Sequence, residues 1–324
     1  MSTAESVVSE TEVGVEVRRF DPTMQAEWDQ FVASAKNGSF MFRRGFMEYH
    51  AHRFVDSSLL FYEDDKLVAL LPANRTGDQL ASHDGLTFGG LVSGPKMSAV
   101  QMLSVVGALV EWGREQGLGK LRYKATPPFL HTLPAGEDLY ALTRHGARLV
   151  RRDLTTVLVP GEGANFSTSR RWRVNRARKN GVVVQPSERF EDFWPILTEV
   201  LSSRHGATPT HSLDEIRLLN DRFPDHVKLF GAYLENRMLA GAVMFVNPNV
   251  AHTQYLATTD EGRRANALDA LIATLITETY AQYPWFSFGI STEEGGMVLN
   301  EGLAEYKESF GGRATVHDFY ELNF

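Results

Sequence analysis

The feature that most constrains the fold is the alternation of strand and helix patterns over residues 250–324. Residues 250–258 alternate as a strand does, residues 265–283 repeat apolar side chains at helical spacing, and residues 285–290 form a second short strand. A basic turn at residues 261–264 separates the first strand from the helix. Strands that alternate with helices predict an α/β domain in which helices cover a sheet.

Length and composition restrict the class of protein. The 324 residues suit two domains with ordinary hydrophobic cores, and the composition is that of a globular protein. No apolar run is long enough to span a bilayer and the N-terminus lacks a signal-peptide pattern, so we expect a cytoplasmic protein. The absence of cysteine excludes disulfides, thiolate metal sites and a cysteine nucleophile. The net charge of −7 argues against a large nucleic-acid footprint, although a local basic patch can still bind phosphates.

The two halves of the chain show the same rough order of elements, which predicts a duplicated architecture. Each half has a strand, helices, a hairpin, a polar strand, and then helix, strand, helix and strand patterns. We place a disordered tail at residues 1–12, a first domain at 13–160 and a second at 161–324, with a glycine-rich linker at the boundary. The predicted fold class is α/β with a mixed sheet (α+β), as two tandem domains with a cleft between them.

Two further segments have unusual composition. The glycine-rich segment, residues 82–90, either lets the backbone approach a ligand or forms a relaxed bulge in a sheet. A basic segment opens the second half, and no acidic residue offsets it between residues 163 and 187. Its basic residues are Arg170, Arg171, Arg173, Arg176, Arg178 and Lys179. It is either a solvated helix or a clamp on the phosphates of a nucleotide or of coenzyme A, and its place in an acidic protein favours the clamp.

Several polar side chains are candidates for catalysis or binding. Period-two alternation places four residues of the strand 250–258 on one face: His252, Gln254, Leu256 and Thr258. Histidine beside glutamine on an interior strand indicates either a ligand or a hydrogen-bond network in the core. His83 and His211 are further candidates for a proton acceptor, with structural roles as the alternative. Lys307 beside Tyr306 supplies a cation and a phenol, unless both lie on a helix surface.

The order of polar strand, basic turn, helix, strand and helix resembles the GNAT superfamily of N-acyltransferases. In that superfamily the turn after the fourth strand binds the pyrophosphate of acyl-coenzyme A, and an Asn and a Tyr after the fifth strand face the pantetheine and the sulfur. Asn300 and Tyr306 look like their counterparts. The turn departs from the Gln/Arg-x-x-Gly-x-Gly/Ala pattern, because Asn266 and Leu268 stand at the glycine positions after Arg263.

The tandem arrangement, the basic segment and the run 306–311 are similar to the Fem-type peptidoglycan-bridge aminoacyltransferases, whose motif is aromatic-Lys-x-x-Phe-Gly. Motifs at 82–90, 252–255 and 289–293 are closer still to a FemAB-like group of GNAT proteins often found with bacterial polysaccharide biosynthesis. At least one branch of that group acylates the amine of a dTDP-linked amino sugar. The resemblance covers nearly all of residues 13–324.

The resemblance implies an N-acyltransferase that uses acyl-coenzyme A, and no metal, to acylate the amine of a nucleotide-linked amino sugar. The implied donor-binding residues are Thr258, Gly262, Arg263, Arg264, Ala265, Asn266 and Asn300. The acceptor-binding candidates are Arg171, Arg176, His211, Gln254, Tyr255 and Ser291. The catalytic candidates are His83, His252, Tyr306 and Lys307. The alternatives are an aminoacyl-tRNA-dependent transferase acting on a peptidoglycan precursor or metabolite, and a binding protein on a transferase fold that has lost catalysis.

Overall fold

The computed structural model describes residues 14–161 and 164–324, so the predicted tail and part of the predicted linker lie outside the described residues. This part of the chain forms 17 strands and ten α-helices. The strands are β1 Glu16–Arg19, β2 Val55–Asp56, β3 Leu59–Glu63, β4 Lys66–Leu71, β5 Asn74–Thr76, β6 Gln79–Ala81, β7 Val92–Ser93, β8 Lys120–Lys124, β9 Arg148–Leu158, β10 Val183–Ser187, β11 Val227–Leu234, β12 Arg237–Asn247, β13 Val250–Thr258, β14 Trp285–Ile290, β15 Thr292–Glu293, β16 Val298–Leu299 and β17 Arg313–Asn323.

The helices alternate with these strands. They are α1 Gln25–Ser34, α2 Arg44–Met47, α3 Ala99–Glu115, α4 Glu137–Arg144, α5 Thr168–Lys179, α6 Phe190–His205, α7 Leu213–Arg222, α8 Asp260–Ala265, α9 Ala267–Thr274 and α10 Glu301–Glu308. A short π-helical turn, Leu275–Thr279, continues α9. Within the described ranges no helix combines the length and the apolar character needed to cross a bilayer.

One mixed sheet of 11 strands runs through both halves of the chain. Its order is β10-β11-β12-β13-β14-β9-β17-β8-β6-β5-β2. A second sheet of four strands, β1-β3-β4-β7, belongs to the first half, and β15 pairs with β16 in a small hairpin. The prediction of a mixed α/β fold is therefore confirmed.

The two long strands β9 and β17 join the halves at the centre of the large sheet. β9, from the first half, pairs with β14 on one side and with β17 on the other. β17, at the end of the second half, then pairs with β8 of the first half. The halves thus exchange strands across residue 160, and the boundary placed there stays a prediction.

The strands of the second half separate two hydrophobic cores. Successive residues of β12 point to opposite faces, so Val243 packs in one core with Phe193 of α6. Its neighbours Ala242 and Met244 pack in the other core with Leu271 of α9. Because helices cover both faces of the sheet here, cavities form at the ends of the central strands.

Gly241 in β12 tests this packing. Gly241 packs closely against α6, because a Cβ there would overlap the ring of Phe193. We expect Gly241→Ala to lower the free energy of unfolding by about 1–3 kcal/mol, since the ring must move. Denaturant unfolding measures the change. Gly302→Ala is the control, because Gly302 lies exposed in α10 with no atom within 4 Å of its added Cβ. Equal stability of the two variants would contradict the packing argument.

Candidate active site

A cavity of about 620 Å³ lies across the central strands of the 11-stranded sheet. We call it the central cavity. Five neighbouring strands, β13, β14, β9, β17 and β8, each contribute to its wall. One side chain from each is His252, Phe288, Asp153, Phe319 and Lys124. Both halves of the chain therefore build this site.

The glycine-rich segment forms part of the wall of the central cavity. Its side chains Ser82, Thr87 and Phe88 line the cavity. A Cβ at Gly89 would overlap the backbone of Ser82, and Gly90 has a φ of +95°, which favours glycine. The segment thus packs closely against the protein's own chain, and its approach to a ligand stays a prediction.

His252 lies in the central cavity where β13 and β14 begin to separate. Its Nδ1 is 3.1 Å from the hydroxyl oxygen of Ser287, which also accepts a hydrogen bond of 3.3 Å from the backbone N–H of Gly289. Burial, with Lys307 and His317 nearby, lowers the pKa of His252 to about 3. The imidazole is therefore neutral at pH 7 and can exchange hydrogen bonds with a polar ligand.

Lys307 lies directly behind the cavity wall. Its Nζ donates to the carbonyl oxygens of Gly289 at 2.9 Å and Ile290 at 2.5 Å, and both of these residues line the cavity. The side chain is 3% exposed, and burial lowers the pKa of Lys307 to about 7. An ammonium held in such a site can stabilise negative charge that develops nearby.

Tyr306, the neighbour of Lys307 on α10, faces a different cavity of about 330 Å³, which we call the α9 cavity. The α9 cavity is lined by Arg173, Thr258, Gly262, Arg263, Asn266, Leu268, Asp269 and Tyr306. The Tyr306 hydroxyl is buried and has no hydrogen-bond partner among the described residues. Burial raises the pKa of Tyr306, so the phenol stays protonated and can donate to a ligand.

Two helices, α8 and α9, begin after β13. The backbone N–H groups at the start of α8 are capped by a side chain, whereas those at the start of α9 are not. At the start of α8 the Thr259 hydroxyl accepts from the backbone N–H of Gly262 at 2.9 Å, and Asp260 and Glu261 occupy the first turn. At the start of α9, Asn266 has φ 56° and ψ 34°, the left-handed conformation that a glycine adopts readily, and makes no side-chain cap. Space for an anion therefore lies at α9 rather than at α8.

A buried arginine attaches the basic helix α5 to the α9 cavity. The guanidinium of Arg170 lies 4.4 Å from the ring centroids of both Tyr306 and Phe310. It also forms an ion pair with Asp269 and a hydrogen bond of 2.8 Å to the Ser309 hydroxyl. Arg170 thus fixes the position of Tyr306 and of α5 relative to α9.

The other predicted donor and acceptor residues are dispersed. Of the basic helix, Arg173 lines the α9 cavity, whereas Arg171 and Arg176 are exposed and line neither cavity. Arg264 is also exposed and Ala265 is half-buried. Asn300 caps α10, accepting from the backbone N–H of Leu303 at 3.0 Å. Ser291 is buried, and its backbone N–H donates to Leu154 at 2.7 Å.

His211 faces a third space, the side cavity of about 430 Å³, which shares Asp84, Thr87 and Gln254 with the central cavity. His211 lines it, and its Nδ1 is 2.7 Å from the Tyr255 hydroxyl. Three phenylalanines also line it: Phe46, Phe54 and Phe245. Burial lowers the pKa of His211 to about 4, so His211 adds no charge at pH 7 to the side cavity, whose charged residues are Arg53 and Asp84.

His83 lies beside these spaces without lining either of them. It is 4% exposed, and burial lowers its pKa to about 3. Its ring is 5.3 Å from that of His50 and 5.4 Å from that of Phe54. A catalytic role for His83 stays a prediction, and its position is that of a packed core residue.

The prediction that four residues of β13 share one face is wrong. Gln254 is the extra residue of a β-bulge in the pairing with β12, and a bulge inverts the alternation beyond it. His252 and Gln254 line the central cavity. Leu256 packs against the core that contains Leu271 of α9, and Thr258 lines the α9 cavity. The bulge has no signature in the sequence, because it depends on the partner strand.

Sequence reasoning missed the charged wall that the first half supplies. Arg122 on β8 forms an ion pair with Asp84, and Arg151 on β9 forms one of 2.8 Å with Asp153. Lys124 donates to the carbonyl oxygen of Leu86, and burial lowers the pKa of Lys124 to about 8. All line the central cavity. The sequence signal is the alternation of basic residues at positions 120, 122 and 124 of β8.

The pairing of β13 with β14 ends between the two principal cavities, and we call the unpaired stretch the β13–β14 gap. The strands pair over three residues, Val250–His252 with Trp285–Ser287. Beyond these, within the described chain, β13 continues to Thr258 against β12, and β14 continues to Ile290 against β9. His252 marks the central-cavity end of the gap, and Thr258 marks the α9-cavity end.

The lowered pKa of Lys307 has a testable effect on stability. Between pH 7 and lysine's ordinary 10.5, the unfolded chain binds a proton that the folded chain has released. Folding stability should therefore rise with pH in this window, by up to about 1.4 kcal/mol per pH unit. Denaturant unfolding at pH 7, 8 and 9 should show this rise in the wild type relative to Lys307→Met, with the exposed Lys66→Met as control. A constant difference between wild type and Lys307→Met would contradict it.

Comparison with known proteins identifies the fold. No family model and no curated protein sequence matches the chain. FemX has a TM-score of 0.68 at 13% identity, over 95% of this chain and 97% of that one. L-PGS from Bacillus licheniformis has a TM-score of 0.61 at 14% identity, over 96% of this chain and 93% of that one. A tandem GNAT protein from the clavulanic acid biosynthesis pathway has a TM-score of 0.50 at 11% identity, over 95% of this chain and 98% of that one. The predicted resemblance is confirmed at the level of fold: the chain has the FemAB-like tandem GNAT fold.

Proposed function

We propose that this protein is an N-acyltransferase. It moves an acyl group from a phosphopantetheine thioester, of which acyl-coenzyme A is the simplest, to the amine of a nucleotide-linked amino sugar. The observation that carries the proposal is the β13–β14 gap. It gives a narrow thioester arm a path from the α9 cavity to the central cavity, where an amine has room to bind.

The donor occupies the α9 cavity and the gap. Its phosphate lies at the start of α9, near Arg173, where backbone amides and a cation favour an anion. From Thr258 back to His252 the strand rises about 20 Å, so an extended arm that follows it brings the thioester to the central cavity. The gap thus fixes where the reacting carbonyl lies.

The chemistry is a direct displacement at the thioester carbonyl. The amine nitrogen forms a bond to the carbonyl carbon, and the buried ammonium of Lys307 favours the negative charge that develops on the carbonyl oxygen. Neutral His252 accepts the proton that the nitrogen loses and passes it to water. The carbon–sulfur bond breaks with its electron pair going to sulfur, and the thiolate takes a proton from this water, because Tyr306 faces the α9 cavity rather than the thioester.

The acceptor spans the central and side cavities. Lys124 lines the central cavity beside Arg122 and Arg151, each of which is paired with an aspartate of the same wall, and a phosphate of a sugar nucleotide can contact these cations. The aromatic walls of the adjoining side cavity suit a planar base. The sugar amine then lies between these subsites and His252.

Lys307→Met is the direct test of this mechanism. We expect kcat for acyl transfer to fall by about 10²–10³-fold, because the oxyanion loses a preorganised cation. Mass spectrometry of acylated dTDP- and UDP-linked amino sugars measures turnover with acetyl- and decanoyl-coenzyme A as donors. Lys66→Met, at an exposed site on β4, should retain full activity. Calorimetry that detects no binding of either thioester would rule out coenzyme A as the donor, and wild-type kcat in Lys307→Met would refute the mechanism.

The acceptor assignment has its own test. Arg122→Met should raise KM for the amino-sugar nucleotide by about tenfold or more, because a charge-assisted contact to phosphate is lost. KM for the donor should not change, since Arg122 lies outside the α9 cavity. Arg114→Met, at an exposed position on α3, is the matched control. A rise confined to the KM for the donor would show that this wall binds the donor and that the acceptor assignment is wrong.

A second candidate is an aminoacyl-tRNA-dependent transferase acting on a peptidoglycan precursor or metabolite. The exposed cations of α5 and the fold likeness to FemX favour it. Binding of tRNA should then weaken steeply as salt increases. A flat salt dependence would remove this candidate. Ligand binding without any acyl transfer would indicate a binding protein instead.

A further inference from the structure

The helix α5 concentrates positive charge on an acidic protein. Six of the 33 basic residues lie between Arg170 and Lys179, with no acidic residue in the helix. The remaining 27 basic and 40 acidic residues give the rest of the chain a net charge of −13. Such a local patch steers a small acidic partner to one place, whereas the surrounding surface repels it.

Most of this charge faces solvent. Arg170 is buried and Arg178 pairs with Glu278 at 2.7 Å. Four other cations are exposed and have no ion pair within residues 14–161 and 164–324: Arg171, Arg173, Arg176 and Lys179. Trp172 lies among them with 58% of its surface exposed, and the Arg176 guanidinium is 5.1 Å from its ring. We call this surface, residues 171–179 of α5, the basic face.

The basic face continues into the α9 cavity. Arg173 belongs to both, and Arg170 on the inner side of α5 contacts Asp269 and Tyr306 of the cavity wall. We propose that the basic face docks an acidic carrier protein whose phosphopantetheine arm enters the α9 cavity and carries the acyl group. This inference rests on the proposed function and names the macromolecule that delivers its thioester.

The α9 cavity suits the single phosphate of a carrier-bound arm better than the diphosphate of coenzyme A. The start of α8 is closed by Thr259 and flanked by two acidic residues. Arg263 is paired with Asp260, and Leu268 occupies wall space where the GNAT pattern has a small residue. What remains is the start of α9 with Arg173, which is one anion subsite.

A protein fits the basic face better than RNA does. The face extends about 12 Å along the helix axis from Arg171 to Lys179, the size of one short acidic helix. Tryptophan and arginine at the centre of a patch are typical of protein–protein hot spots. An extended polyanion such as tRNA would also meet the acidic remainder of the surface.

Calorimetry with the full-length protein tests the proposal without knowledge of the acceptor. The titrants are an acyl carrier protein bearing a decanoyl arm, decanoyl-coenzyme A, decanoyl-pantetheine and a tRNA, each at 50 and 200 mM salt. We expect the loaded carrier to bind at least about tenfold more tightly than the coenzyme A thioester, with affinity that falls as salt rises.

Charge reversal then locates the contact. The double variant Arg171→Glu/Arg176→Glu should weaken carrier binding by about 30-fold or more. The control Lys96→Glu/Arg114→Glu reverses the same number of exposed charges near α3 and should change it less than about threefold. A carrier whose helix has two acidic residues changed to lysine should recover affinity for the reversed variant, which a merely unfolded variant could not show.

Three results would overturn the inference. Coenzyme A thioester binding as tightly as the loaded carrier would show that the arm needs no protein. Equal losses in both double variants would place the contact elsewhere, and tRNA displacing the carrier would make RNA the partner of the basic face. In the first two cases the proposed acyl transfer still stands. If none of the three thioesters bound, the proposed function would be overturned together with this inference.

Discussion

The site depends on the point in the large sheet where the neighbouring strands β13 and β14 stop pairing with each other. β13 and β14 pair over three residues and then part, which exposes backbone groups in the middle of a sheet. Such groups need other partners when they are buried. Lys307 supplies donors to the carbonyl oxygens of Gly289 and Ile290, and the Ser287 hydroxyl accepts from the N–H of Gly289. The side chains that satisfy the backbone at this gap are therefore the side chains best placed for chemistry.

The helix α10 explains why adjacent residues have separate tasks. Lys307 turns to β14 and the central cavity, while Tyr306 turns to the α9 cavity and packs against Arg170. The Arg170–Asp269 ion pair ties α5 to α9 on the same side. Burial has opposite effects on the two groups, because it disfavours charge on each. It lowers the pKa of Lys307 towards neutrality and raises the pKa of Tyr306, which keeps the phenol protonated.

The sequence predicted local features well and non-local ones poorly. The order of strands and helices in residues 250–324 was recoverable because each element has its own periodicity, and Asn266 was correctly placed at a glycine position, which proves to need a left-handed backbone. The bulge at Gln254 was not recoverable, because it exists only in the register with β12. Lys124 and Asp153 were missed for the same reason, since strands distant in sequence bring them together.

The exchange of β9 and β17 makes the site inseparable from the pairing of the halves. β17 lies between β9 and β8, so its Phe319 is the direct neighbour of both Arg151 and Lys124. Without β17 the charged wall would lose its spacing, and without β9 the outer edge of β14 would be unpaired. A domain boundary drawn along the sequence therefore divides a unit that the sheet keeps whole. The walls of the central cavity and the β13–β14 gap therefore lie on the same central strands, so a change in the pairing of these strands would alter both.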